Sequence, residues 1–247
     1  MPRVRADLLL VQRGLAETRE RARQLIMAGQ VRSGTRVLVK PAQPLDPNAP
    51  LEIVQPLRYV SRGGLKLEAA LAAFSIDPAG LTCLDIGAST GGFTDCLLQH
   101  GAAHVIAVDV GQAQLHHRLR QDLRVTLLEG VNARHLPHLP PVHLVVADLS
   151  FISLEKVLPS VAARVPPRTP VIALLKPQFE AGPAEVPAGG VIRDEAVLQR
   201  VKERFLRWAT DHSWETCGII PSPIRGGDGN TEFLVCLQTP PVGDPRC

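Results

Sequence analysis

The sequence predicts an α/β fold, a doubly wound and mostly parallel sheet with an antiparallel last strand, preceded by a small α+β module. Three observations predict it. Apolar runs of strand length recur from residue 82 onward with helical or looped spacers between them, and a Gly-rich turn follows the first of these. The last two runs, "WETCGIIPSP" and "TEFLVCLQT", are joined only by the turn-rich "IRGGDGN", which reads as a hairpin and so reverses the final strand. Charge divides unevenly: residues 1–60 hold ten Lys/Arg against five Asp/Glu, a net of +5, while the whole chain is only +3. A basic first module followed by a slightly acidic second one suggests that the first meets a polyanion.

Size and composition bound the rest. A chain of 247 residues that is 45% hydrophobic can bury one sizeable core and still supply a second small module. No apolar run approaches the roughly 18 residues of a membrane helix, and the N-terminal "LLLV" is too short and too closely flanked by charge for a secretory signal, so the protein is expected in the cytoplasm. The five cysteines, Cys83, Cys96, Cys217, Cys236 and Cys247, are odd in number and widely spaced. They read as reduced, mostly buried thiols, and no metal site is expected.

In the first module, Leu8, Leu9, Val11 and Leu15 fit a short amphipathic helix ending near Gly14. Thr18 can cap a second helix with Ala22, Leu25 and Ile26 on its apolar face, which leaves Arg19 and Arg23 one turn apart. After Gly29, "QVRSGTRVLVK" alternates as a strand pair with a Ser33-Gly34 turn, and Lys40 leads into a Pro-rich loop. Over residues 3–54 this pattern resembles the alpha-L, or S4-type, RNA-binding domain, carried by Arg5-x-Asp7, Gly14-Leu15, Thr18-Arg19, Ala22, Leu25-Ile26, Gly29-x-Val31 and Lys40-Pro41. The turn departs from the commoner Asn-Gly but keeps its glycine. The resemblance implies that Arg5, Arg19, Arg23 and Lys40, with Arg62 further on, hold RNA phosphates without reading sequence.

The expected organisation is a first domain over 1–56, a linker over 57–61, a second domain over 62–240 and a tail over 241–247. Ser61 can cap a helix through "GLKLEAALAAF", which puts Lys66 in its first turns. "TCLDIGASTGGFTDCLLQHG" then reads as strand, Gly-rich turn and helix, and "HVIAVDV", "RVTLLEG", "HLVVADL" and "PVIALLK" as further strands. Ligands in such sheets sit at the carboxyl ends of the strands. The turn, Asp85-x-Gly87-x-Ser89-x-Gly91-Gly92, lacks the dinucleotide glycine at position 89 and so favours S-adenosylmethionine. Asp109, closing the next strand, suits ribose hydroxyls in either kind of site. The stretch from Gln178 to Arg193 folds over a substrate or is an inert loop, and both readings stay open. Val197, Val201, Phe205 and Trp208 fall at core spacing on a following helix.

Four charged residues are expected to converge at that edge. Asp148 ends one strand and Lys176 the next, Glu232 begins the reversed last strand, and the helix of Lys66 must run antiparallel to the first strand. A lysine ending an apolar strand needs a partner or a task. The order Lys66, Asp148, Lys176, Glu232 resembles the catalytic tetrad of FtsJ-like ribose 2′-O-methyltransferases, and with an alpha-L domain in front the chain resembles the TlyA family of ribosomal RNA cytidine 2′-O-methyltransferases, often labelled hemolysin. The resemblance runs over residues 3–238 through "YVSRGGLKL", "LDIGASTGGFTD", "ADLSFISL", "LLKPQFEAG", "GGVIRD" and "GNTEFL". It implies a class I methyltransferase sheet, S-adenosylmethionine contacts at Asp85, Gly87, Ser89, Gly91, Phe93, Asp109, Asn132 and Asp148, and ribosomal RNA or a ribosomal subunit as partner. Lys176 then contacts the ribose hydroxyl, as a base if neutral or as an orienting charge if protonated. An RNA-binding protein with an inactive methyltransferase fold and a membrane-lytic hemolysin are the alternatives; the second expects a secretion signal or a long amphipathic segment.

Overall fold

The computed structural model describes residues 3–27, 29–38, 40–54, 58–182, 185–226 and 229–241. The chain forms two compact units, Met1–Arg58 and Tyr59–Cys247. The boundary falls inside the span read as a linker. Residues 59–61 pack with the second unit because Tyr59 is buried in its core and the Val60 amide donates to Asp95 Oδ2 at 2.8 Å. The expected linker residue 57 and most of the expected tail, 242–247, lie outside the described residues.

The first unit runs β1 (Val4–Arg5), α1 (Ala6–Gln12), α2 (Arg19–Met27), β2 (Val31–Ser33), β3 (Arg36–Val37), β4 (Pro44–Leu45) and β5 (Glu52–Ile53). The apolar spacing of α1 and α2 brings Leu9, Leu10, Ala22, Leu25 and Ile26 onto Val31 and Leu38 as one small core. Thr18 Oγ1 accepts from the Arg21 amide at 3.1 Å, the N-cap bond expected of it. β2 pairs antiparallel with β3 and β5, and Gly34 takes φ +60° in the turn between β2 and β3.

The second unit opens with α3 (Gly63–Phe74), followed by β6 (Thr82–Ile86), α4 (Gly92–Gln99), β7 (His104–Asp109), α5 (His117–Arg120), β8 (Val125–Glu129), β9 (Leu144–Ala147), α6 (Leu158–Ala162), β10 (Pro170–Leu175), α7 (Pro177–Glu180), α8 (Glu195–Asp211), β11 (Glu215–Pro221) and β12 (Phe233–Gln238). The sheet order is β11-β12-β10-β9-β6-β7-β8. β10, β9, β6, β7 and β8 run parallel, and β12 is antiparallel to both β10 and β11. Side chains alternate across it: Leu84, Val145 and Ala173 enter one apolar layer, Cys83, Val146 and Leu174 the other. From β6 the chain steps outward to β7 and β8, then returns to β9 on the other side of β6. The carboxyl ends of β6 and β9 therefore open at the switch point where α/β sheets bind ligands.

On α8, Val197, Val201 and Phe205 are buried as expected, and the half-buried Trp208 packs against the core cluster of Phe205, stacking on that ring at 6.0 Å and on His212 at 4.6 Å. Cys83, Cys96 and Cys236 are buried as expected, Cys217 on the outermost strand of the sheet is exposed, and Cys247 lies outside the described residues. Among the described residues no helix is long and apolar enough to cross a membrane.

Candidate active site

The loop after β6 sets the floor of the site. Gly87 takes φ +81°, and a Cβ there would lie 2.5 Å from the Asp148 carbonyl oxygen, so only glycine lets the β6 and β9 ends close to this spacing. Gly91, at φ +95°, answers a packing demand: its Cβ would meet Leu119 Cδ1 at 2.3 Å. Ser89 is itself left-handed at φ +48°. Its amide donates to Asp109 Oδ2 and the Gly111 amide to Oδ1, both at 2.7 Å, so Asp109 fixes the crest of the loop while each oxygen can accept once more. Asn132 Oδ1 accepts from the Arg134 amide at 3.0 Å and starts the 3-10 turn Ala133–His135.

Three carboxylates surround this loop. Asp109, Asp148 and Asn132 line a groove with Gly87, Ser89 and the apolar Val131 and Ile152. Asp85 lies fully buried; its Oδ2 accepts from Thr94 Oγ1 at 2.6 Å and its Oδ1 has no partner among the described residues. Burial first, then the charges of Asp148 and Asp109, push its carboxyl up to about 7 against the opposing bond from Thr94. An apolar-walled groove carrying the acids Asp109 and Asp148 fits a cationic adenosine compound bearing ribose hydroxyls, such as S-adenosylmethionine, whereas Asp85, expected as a contact, lies behind the loop and does not line it.

The same burial makes a prediction. Asp85 binds its proton more tightly folded than unfolded, so its contribution to stability falls as pH rises from about 4 to 7 and stays lost above that. Asp85→Asn is expected to melt above wild type at pH 8 and level with it near pH 4, in thermal unfolding without cofactor. Equal melting at both pH values would show that the carboxyl is not held protonated.

Beside the groove opens a cavity of about 260 Å³ lined by Ser61, Arg62, Lys66, Gly87, Ser89, Phe93, Asp148, Ser150 and Lys176. Lys66, Asp148 and Lys176 of the expected tetrad line it and Glu232 joins through Lys66, so the four form two ion pairs. Lys176 Nζ approaches Asp148 Oδ1 at 2.7 Å without making an aligned hydrogen bond, and donates to Ser150 Oγ at 3.0 Å. Lys66 Nζ donates to Glu232 Oε2 at 2.5 Å. Both lysine side chains are about nine-tenths buried, and Gly226 leaves room for the Glu232 carboxylate, since a Cβ there would lie 2.6 Å from Oε1. Lys66 reaches the cavity because α3 starts at this sheet edge. Phe93 forms part of the wall and is otherwise core. Arg62 is exposed at the cavity's edge.

Sequence reading missed several residues. Phe151 is 90% exposed and left-handed at φ +65°, with its ring 5.2 Å from Phe179. An exposed aromatic held in a strained backbone beside a cavity is a functional signal, but in "DLSFISL" its spacing looks like core. A cleft next to it adds Arg134, Lys156 and Gln178 to the two rings. Within the stretch from Gln178 to Arg193, Asn230 ties down the end: its Nδ2 donates to the Gly190 carbonyl and its Oδ1 accepts from the Ile192 amide, both at 3.0 Å.

In the first unit, Arg5 and Arg19 both pair with the buried Asp7, at 2.8 and 3.1 Å, and keep about half their side-chain surface exposed. The Arg5 guanidinium holds the Asp7 carboxyl down to about 2, with Arg19 adding to it. One buried carboxylate thus aims two guanidinium groups outward. Arg23 pairs loosely with Glu20 at 3.8 Å, and Lys40 is exposed.

The family model described as FtsJ-like methyltransferase matches residues 59–239, and the S4 domain model matches residues 4–51. The chain is 46% identical over 244 residues to the 16S/23S rRNA (cytidine-2′-O)-methyltransferase TlyA of Mycobacterium tuberculosis, covering 96% of this chain and 90% of that one. It is 40% identical over 238 residues to Hemolysin A of Brachyspira hyodysenteriae, covering 94% and 98%. A solved structure described as a hemolysin, from Streptococcus thermophilus, superposes with a TM-score of 0.73 at 43% identity over 97% of this chain and 90% of that one.

Proposed function

The chain belongs to the FtsJ-like methyltransferase family and carries an S4 domain in front, and from that premise we propose that it methylates the 2′-hydroxyl of a cytidine ribose in ribosomal RNA. The observation that carries the reading is the pair of buried lysines, each on a carboxylate, beside an acid-ringed adenosine groove. S-adenosylmethionine, when bound, supplies a methyl group already activated by a sulfonium. Asp109 and Asn132 would hold its ribose and base end, and Asp148 its cationic end.

A ribose hydroxyl is a weak nucleophile, so the protein's task is alignment and management of one proton. With one N–H on Ser150 Oγ, the Lys176 nitrogen can also meet the ribose hydroxyl. As the hydroxyl oxygen bonds the methyl group its proton must leave: a neutral Lys176 amine takes it as base, whereas a charged one orients the hydroxyl and stabilises developing alkoxide while the proton passes to solvent. Lys66 and Glu232 steer the sugar from the opposite wall. Phe151 offers a stacking face for the target base, with Arg134 and Lys156 near enough to hold its phosphates. The outward arginines of the first unit bind RNA through its backbone.

Incubating the protein with methyl-labelled S-adenosylmethionine and ribosomal RNA from cells lacking this gene should give label on a 2′-O-methylcytidine, identified by mass spectrometry. Label on a base, or binding of RNA without incorporation, would sink the reading; the second result would leave an RNA-binding protein with an inactive fold.

A further inference from the structure

We propose that Glu180 is a positioning residue for methyl transfer: its buried carboxylate clamps the loop 150–154 onto α7 and so fixes Ser150 against Lys176, a role that rests on the methyl-transfer reading above. The loop follows β9 and α7 follows β10, but the backbone ladder between those strands ends at the pair Ala173 and Ala147. Beyond it, side chains continue the pairing in the same order. Lys176 Nζ donates to Ser150 Oγ at 3.0 Å, the rings of Phe151 and Phe179 pack at 5.2 Å, Ser153 Oγ donates to Glu180 Oε2 at 2.6 Å, and the Leu154 amide donates to Oε1 at 2.8 Å. The catalytic lysine sits at one end of this zipper and the glutamate at the other.

An apolar side chain would fill the Glu180 position more cheaply if space-filling were its purpose. The carboxylate instead engages both oxygens on one short stretch of the facing loop, and burial, which pushes its carboxyl up, is opposed by those two bonds. The loop needs such a hold, since Phe151 at φ +65° is a conformation that a bulky residue keeps only when its surroundings impose it. α7 is the fixed side: the Arg204 guanidinium donates to the Glu180 carbonyl and ties its end to α8. Glu180 is only 8% exposed and acts through Ser150 and Lys176, not by touching RNA.

Three variants test this: Glu180→Ala, Glu180→Gln and Ser153→Ala. Glu180→Ala should lower kcat by about 10- to 100-fold, the scale set by an ångström of misplacement at a reacting group. KM for S-adenosylmethionine should move less than kcat, because Gly87, Ser89 and Asp109 still shape the groove even though Ile152 of the clamped loop also lines it. Glu180→Gln keeps an acceptor for the Leu154 amide and a partner for Ser153, so it should recover most of kcat, and Ser153→Ala should fall between. Amide hydrogen exchange reads the clamp without turnover: Glu180→Ala should speed exchange at Leu154 and leave β9 and β10 unchanged. A Glu180→Ala protein with wild-type kcat and wild-type exchange overturns the proposal, as does a KM rise that accounts for the whole loss. If the wild-type protein transfers no methyl group, the functional reading fails instead, and the exchange result still decides whether the clamp exists.

Discussion

Lys176→Ala should abolish methyl transfer, a loss on the order of 10²- to 10⁴-fold, while S-adenosylmethionine still binds. The nitrogen it removes meets Asp148 at 2.7 Å and Ser150 at 3.0 Å inside the cavity, and no other described lysine lines that cavity except Lys66, whose ammonium is engaged by Glu232. Neither the Gly87–Ser89 turn nor Asp109 depends on it, so calorimetric binding of the cofactor should persist. Lys176→Arg should not rescue, because a planar guanidinium cannot place one nitrogen between two partners that close. Full activity in Lys176→Ala would remove the lysine from the reaction, and loss of cofactor binding in parallel would recast it as part of the groove.

Glu232→Ala should cost about 3–5 kcal/mol of stability, because it strands the Lys66 charge where only a tenth of its side chain reaches water. Activity should vanish with it. The double variant Lys66→Met with Glu232→Leu separates the two effects: replacing both members by apolar groups of similar volume should return stability to near wild type, since a buried ion pair is seldom better than good packing. Methyl transfer should stay absent. Thermal melting and label incorporation on the same preparations check both halves; a double variant that is stable and active would show the pair to be structural only.

The fold was legible because its signals are local and periodic. Unbroken apolar runs in "HLVVA" and "PVIALL" specify a sheet buried on both faces, and the hairpin through "GGDGN" forces the last strand to run backward. The tetrad could be located from topology alone, since a residue at the end of a parallel strand or the start of an antiparallel one must fall on the same edge. Phe151, Glu180 and Asn230 were not legible. Each owes its role to a contact with a segment 27 to 40 residues away in sequence (Ser153 with Glu180, Asn230 with Gly190), and no periodicity records such a contact.

The sequence by itself determined the two-module order, the strand directions, the family and which charged residues share an edge. The order, the directions and the shared edge follow from composition, spacing and local backbone preference, and the family from the resemblance of its motifs. Only the tertiary structure decided how those charges pair: Lys176 with Asp148 and Lys66 with Glu232, Arg5 and Arg19 on one buried Asp7, and Asp109 bound to the crest of the loop. Pairing depends on side-chain reach and burial at distances of about 3 Å, where Coulomb and desolvation energies are steep, and chain order carries no information at that scale.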